Sequence, residues 1–248
     1  MAGRIDTPLL RDAPEQTFPF LRKLLPKALH PYARGLRKRL QKSRLSLEEP
    51  YASVYEFTQV SPARQRSIHG KATALVADGV EGDFVECGVL DGGTAALLAH
   101  AAKGDERRVH LFDAWQGLPE ITEEDGEDSR RFVGDVVGSP RRVRAVLDRV
   151  GAKAGNIVFH RGWFNETIPK ADIPKVAFLH VDCDFYEPTL MVLNAFFPRM
   201  ASGGWVQIDD YADFEGSRVA TNEFLDAHPE LEFVVEDKPG GAAFFRVP

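Results

Sequence analysis

From Asp83 onward the sequence alternates short apolar runs with longer segments of helical character. That rhythm limits the fold more than any other feature. A run of about five apolar residues is strand length, and parallel strands need a long crossover, usually a helix. Runs at residues 83–89, 109–113, 157–160, 176–181 and 204–208 each lead into such a segment, which predicts an α/β chain with a largely parallel sheet. A helix is predicted over residues 140–150, after a loop at Gly117-Leu118-Pro119 and an acidic stretch at residues 120–128. The last two runs, residues 231–236 and 242–247, turn around Pro239-Gly240-Gly241 and read as a terminal hairpin contributing one antiparallel strand. The rhythm is missing before residue 57. There Leu21, Leu24, Leu25 and Ala28 have helical spacing, but Pro26 and Pro31 interrupt it. The expected division is a helical extension or lid over residues 1–56 and one α/β domain over residues 57–248.

Charge separates these two parts. Residues 1–47 carry 11 Lys/Arg and 3 Asp/Glu, a net of +8, whereas residues 48–248 carry 20 and 34, a net of −14. An acidic body argues against nucleic acid as a partner, because phosphate neutralisation needs clustered cations. The basic segment runs from Arg22 to Arg44 without a carboxylate. Its default reading is a solvated helical face; a lid over an acceptor site and contact with an anionic membrane surface are the alternatives. The longest stretches free of charge, residues 92–102 and 188–198, have 11 residues each, short of the roughly 18–20 a membrane span needs. No apolar leader follows Met1, and Cys87 and Cys183 are too few and too far apart for a disulfide framework. A reduced, cytoplasmic chain is expected.

Ligands of open α/β sheets bind beyond the carboxyl ends of the strands, so those ends carry the chemistry. The first run ends in Glu86-Cys87-Gly88-Val89-Leu90-Asp91-Gly92-Gly93. Its glycine spacing is not G-x-G-x-x-G, which disfavours a nicotinamide dinucleotide. An acid two residues before Gly88 suits the charged methionyl end of S-adenosylmethionine; the plain alternative is a turn joining strand to helix. Asp113 ends the second run, where a carboxylate can accept both ribose hydroxyls of an adenosine or simply hold a turn. After the third run, Trp163 could stack on adenine with Gly162 admitting the ring, or Trp163 and Phe164 could be core. The fourth and fifth runs are followed by Asp182-Cys183-Asp184 and Asp209-Asp210. Neighbouring strand ends lie about 4.8 Å apart, so these carboxylates would converge and repel unless a cation joined them. Oxygen-only ligands point to Mg²⁺, Ca²⁺ or Mn²⁺. Helix capping accounts for Asp184 but not for Asp182, Asp209 and Asp210 together. His160 and His180, at or near strand ends, could assist as a base, with local packing the default reading; both cysteines read as space-filling.

Taken together, Gly82-Asp83-Phe84-Val85-Glu86-Cys87-Gly88-Val89, Leu111-Phe112-Asp113 with Gly117-Leu118-Pro119, Phe159-His160-Arg161-Gly162-Trp163-Phe164, His180-Val181-Asp182-Cys183-Asp184-Phe185-Tyr186-Glu187-Pro188-Thr189 and Ile208-Asp209-Asp210-Tyr211 resemble the macrocin O-methyltransferase family. The resemblance spans roughly Phe57 to the C-terminus. It implies a class I, Rossmann-like methyltransferase fold with a seven-stranded sheet. The implied reaction is Mg²⁺-dependent O-methylation of a sugar hydroxyl in a natural product or glycoconjugate, with S-adenosylmethionine as donor. Residue by residue, it places Glu86, Gly88 and Gly93 around the methionyl part and Asp113 at the ribose. It places Gly162 and Trp163 near adenine and Thr58 close to the cofactor carboxylate. Asp182, Asp209 and Asp210 would hold Mg²⁺, Asp182 would also be the general base, and residues 120–128 would face the acceptor. Gly216-Ser217-Arg218 resembles a Gly-Cys-Arg motif, with serine in place of cysteine. A homo-oligomer is also implied. The alternatives are a catechol or phenol acceptor and a non-catalytic scaffold with the same fold.

Overall fold

The computed structural model describes residues 26, 29–236 and 241–248. The expected helical spacing at Leu21, Leu24, Leu25 and Ala28, the start of the basic segment and most of the Pro239-Gly240-Gly241 turn lie outside them. The strands are β1 (Asp83–Cys87), β2 (Val109–Asp113), β3 (Ile157–Arg161), β4 (Val176–Val181), β5 (Met200–Ile208), β6 (Phe233–Val235) and β7 (Ala243–Arg246). They form one seven-stranded sheet in the order β3-β2-β1-β4-β5-β7-β6. The first five are parallel, and β7 is antiparallel to both of its neighbours. This is the mostly parallel sheet with a terminal hairpin that the alternation predicts. β5 starts at Met200 rather than Gly204, because its register against β4 slips between Val176 and Phe178 and absorbs the extra residues.

Eight helices accompany the sheet among the described residues: α1 (His30–Lys42), α2 (Tyr51–Val54), α3 (Pro62–Ala77), α4 (Gly93–Ala101), α5 (Pro140–Arg149), α6 (Phe164–Thr167), α7 (Tyr186–Phe196) and α8 (Glu215–Ala227). Their positions follow from the two-residue period of the central strands. Phe84 and Phe178 face a cluster containing Ile68 of α3, Leu97 of α4 and Val146 of α5. Val85, Cys87, Leu179 and Val181 face the opposite cluster, with Leu193 of α7 and Phe224 of α8. Both faces are therefore covered, and each fully buried phenylalanine contributes about 1.5–3 kcal/mol from apolar burial. α3 begins where Ser61 accepts from the Arg64 amide at 3.2 Å and Pro62 supplies a preset φ. None of the described helices is long and apolar enough to cross a membrane.

The N-terminal helix departs from the expectation of a solvated basic face at Arg34 and Lys38, while its Arg39 stays 65% exposed. Its leucines are turned outward, Leu36 being 60% and Leu40 67% exposed. Arg34 reaches the buried carboxylate of Asp91, and the Lys38 ammonium lies 4.7 Å from the centre of the Tyr55 ring. Burial, reinforced by Arg37 and Arg34, pushes the Lys38 ammonium down to about 8. Val54 and Phe57 belong to one apolar cluster, so the chain passes from α2 into the body without a break in packing.

A histidine chain crosses β1, β2 and β3. Asp83 contacts His110 at 3.1 Å, and His110 contacts His160 at 2.9 Å, while the His160 imidazole stacks on Phe112 with centroids 4.0 Å apart. Burial, then the neighbouring His110, push His160 from 6.5 down to about 4. A histidine held neutral by the fold binds fewer protons than in the unfolded chain, so its contribution shrinks as pH falls through that window. Between pH 6.5 and pH 4 the wild type is therefore expected to lose more melting temperature than His160→Gln. Parallel curves would mean that His160 titrates alike in both states.

Candidate active site at the carboxyl ends of the strands

A cavity of about 410 Å³ opens over the carboxyl ends of β1, β2, β4 and β5, within the range of about 300–1,000 Å³ typical of small-molecule sites. Thr58, Gly88, Asp113, Gly162, Trp163, Asp182, Asp209 and Asp210 all line it. These residues come from six separate stretches of sequence, and only the fold brings them together. Gly88 shows how tightly: a Cβ there would lie 1.7 Å from the carbonyl oxygen of Asp182, and its φ is +90°. The glycine thus admits the protein's own backbone, beside any ligand. Gly93 lies outside the lining and packs on Thr58, where a Cβ would come within 2.6 Å of the threonine's own.

Glu86 also departs from its expected place. It is fully buried beneath the cavity, where Oε1 contacts Nδ1 of His180 at 2.9 Å. His180 lies between Glu86 and Asp209, its Nε2 3.9 Å from Asp209 Oδ1. Burial alone would lower this imidazole, but Asp209 and Glu86 push it up to about 9. Glu86 thus pairs with a buried histidine and does not line the cavity. Neither His160 nor His180 lines the cavity.

Asp113 is held by three backbone amides, those of Val89 at 2.9 Å and Leu90 at 2.8 Å on Oδ2 and that of Trp115 at 2.5 Å on Oδ1. A carboxylate accepts about four hydrogen bonds, which leaves Oδ1 the atom with room for a ligand hydroxyl. Gly162 donates its backbone N–H to the Asp113 carbonyl at 3.0 Å, tying the ends of β2 and β3 together. Trp163 and Phe164 are half-buried against the cavity and are not closed core.

The carboxylates sort into two groups. Oxygens of Asp182, Asp184 and Asp210 all lie within 4.8 Å of one another. Asp184 is not the cap of α7; that position is Phe185, with no side-chain bond. Asp184 instead has φ +61° and donates its amide to Asp210 Oδ2 at 2.9 Å. Asp209 is turned away to Arg64, whose Nη1 donates to Oδ2 at 2.8 Å and to the Asp209 carbonyl at 2.6 Å. The other arm of Arg64 donates to Asp213 at 2.5 Å. Burial, then the charges of Asp210 and Asp209, hold Asp182 well above the ordinary carboxylate range; burial and Asp210 do the same to Asp184. Burial and Asp209 push Asp210 up to about 7. Burial would raise Asp209 too, yet Arg64 and His180 keep it low. Three mutually repelling oxygen donors, Asp210 buried and Asp182 and Asp184 half-buried, are the ligand chemistry of a hard divalent cation. Arg64 was missed from the sequence, since only the fold shows that the first turn of α3 meets the end of β5.

Residues 120–128 are anchored rather than loose. Buried Asp125 accepts from the Thr122 amide at 2.8 Å and from the Tyr186 amide at 2.7 Å. The 3₁₀ turn Glu127–Phe132 then sends Phe132 against Phe214, 5.4 Å between centroids, at the mouth of the cavity.

Comparison with known proteins gives this geometry its context. Residues 30–246 match the family described as macrocin-O-methyltransferase (TylF). The chain is 34% identical over 175 residues to the 8-demethyl-8-(2,3-dimethoxy-alpha-L-rhamnosyl)-tetracenomycin-C 4'-O-methyltransferase of Streptomyces olivaceus, covering 67% of each chain. It is 31% identical over 203 residues to the mycinamicin III 3''-O-methyltransferase of Micromonospora griseorubida, covering 77% of this chain and 79% of that one. The solved structure of the O-methyltransferase NovP superimposes with a TM-score of 0.69 at 23% identity, over 90% of this chain and 99% of the other. The fold is that of the class I S-adenosylmethionine-dependent methyltransferases, and the chain belongs to the macrocin-O-methyltransferase (TylF) family of O-methyltransferases.

Proposed function

We propose that this chain transfers the methyl group of S-adenosylmethionine to a sugar hydroxyl of a small natural product, with a divalent cation at the carboxylates. The observation that carries the reading is the cavity itself, which brings Gly88, Asp113, Gly162 and Trp163 together with the carboxylates of Asp182, Asp184 and Asp210. The sugar acceptor is supported by two family relatives named for methylating positions on glycosylated natural products.

Methyl transfer needs an oxygen nucleophile in line with the sulfonium methyl, and holding both reactants in one cavity supplies much of the acceleration. The strand-end wall would hold the donor: Asp113 takes a ribose hydroxyl, Trp163 with Gly162 flanks the adenine, and Thr58 meets the carboxylate end. Asp182, Asp184 and Asp210 would hold Mg²⁺, which when bound lowers the pKa of an acceptor hydroxyl. Asp209, the third ligand expected from sequence, gives Oδ2 to Arg64 and also lines the cavity, its Oδ1 making no hydrogen bond. Asp182 is also the proposed base, the role the family resemblance implies, since its carboxylate lines the cavity together with Asp184 and Asp210.

The test is calorimetric titration of metal-stripped protein with S-adenosylmethionine, repeated with Mg²⁺ present. Binding near one equivalent per chain is expected under the second condition. Absence of binding under both would leave a non-catalytic scaffold with a methyltransferase fold.

A further inference from the structure

Asp91 lies in the turn between β1 and α4 and is fully buried. Two arginines from distant helices meet its carboxylate. Arg34 of α1 donates to Oδ2 from Nε at 3.2 Å and from Nη2 at 2.8 Å. Arg142 of α5 brings Nε within 3.2 Å of the same oxygen. Both arginines also reach beyond Asp91. Arg34 donates from Nη2 to the Val137 carbonyl at 3.0 Å. Arg142 donates to the Glu56 carbonyl at 2.8 Å, and its guanidinium lies 4.5 Å from the centre of the Phe57 ring.

Each contact adjoins a residue that lines the cavity: Leu90 beside Asp91, Val136 beside Val137, and Phe57 with Thr58 beside Glu56. Three wall segments thus meet at one buried carboxylate, while α1 lines no part of the cavity. The approach of α1 requires Gly35, where a Cβ would lie 2.4 Å from Arg142 Nη2.

We propose that Arg34 is a positioning residue for S-adenosylmethionine: from a helix outside the cavity, it clamps the cofactor-facing walls together through Asp91. The inference rests on the reading that the cofactor occupies this cavity. Removing one of two cations from a buried carboxylate leaves that charge under-compensated, and the turn relaxes to reach water. The wall then loses preorganisation, so donor binding weakens more than the chemical step does.

The experiment measures S-adenosylmethionine affinity by calorimetry and steady-state kinetics for the full chain. Arg34→Met is expected to raise Kd and KM for the donor about tenfold, with kcat at saturating donor within about threefold of wild type. Arg39→Met removes another ion pair of α1, the one to Glu56 at 2.8 Å, and is expected to leave Kd unchanged. Gly35→Ala favours helix formation yet displaces Arg142, so it is expected to weaken donor binding, and it reads the clamp should Arg34→Met fail to fold. In an Asp91→Asn background the effect of Arg34→Met should fall below about twofold, the signature of coupling. Unchanged donor affinity in Arg34→Met, or equal weakening in Arg39→Met, overturns the clamp. A wild type that binds no S-adenosylmethionine instead overturns the cofactor reading on which it stands.

Discussion

Asp182→Asn is expected to lower turnover by about 10³-fold, the scale of losing a general base, while donor affinity stays within about threefold. The substitution keeps the shape of the side chain and the backbone bond from the Asp182 amide to the Cys87 carbonyl at 2.9 Å, so the end of β4 stays in place. It removes the carboxylate that sits with Asp184 and Asp210. Burial and the charges of Asp210 and Asp209 disfavour its ionised form, so neutral asparagine is also expected to raise the melting temperature of metal-stripped protein at neutral pH. Single-turnover rates, donor titration and thermal melts check the three parts. Near wild-type turnover would remove Asp182 from the chemistry.

The second large effect is chelation. Stripping divalent metal is expected to reduce turnover at least about 10²-fold, with recovery on adding Mg²⁺. A structural readout accompanies it. Asp210 is pushed up from 3.8 to about 7 by burial and Asp209. A carboxyl raised by folding stabilises the native state at low pH, and that contribution is lost as pH rises through the folded value. In metal-free protein the Asp210 contribution is therefore lost between about pH 4 and pH 7. Cation binding reverses the loss by mass action, about 2.7 kcal/mol at a hundredfold excess over Kd. Identical pH–melting curves with chelator and with Mg²⁺ would show that these carboxylates hold no cation.

The fold was legible because parallel strands buried on both faces leave apolar runs, and the crossovers leave helical spacing between them. Most of the lining was legible for the same reason: strand ends such as Asp113, Asp182 and Asp210 must converge once the strands are parallel. What stayed hidden is which way a side chain turns at a strand end. Glu86 and His180 both precede their strand ends, and only their pairing across β1 and β4 shows that they bond to each other. Asp209 and Asp210 are adjacent in sequence, yet Arg64 takes one and leaves the other to the cluster. The inward turn of Arg34 on α1 could not be read, since its partner Asp91 lies far along the chain.

The most direct test follows the methyl group itself. The chain would be incubated with methyl-labelled S-adenosylmethionine, Mg²⁺ and a panel of glycosylated natural products and catechols, and the products analysed by mass spectrometry and NMR. One labelled methyl on a sugar oxygen, dependent on metal and absent with Asp182→Asn, is the expected result. Label on a phenol, or on no acceptor although the donor binds, would contradict sugar O-methylation at this site.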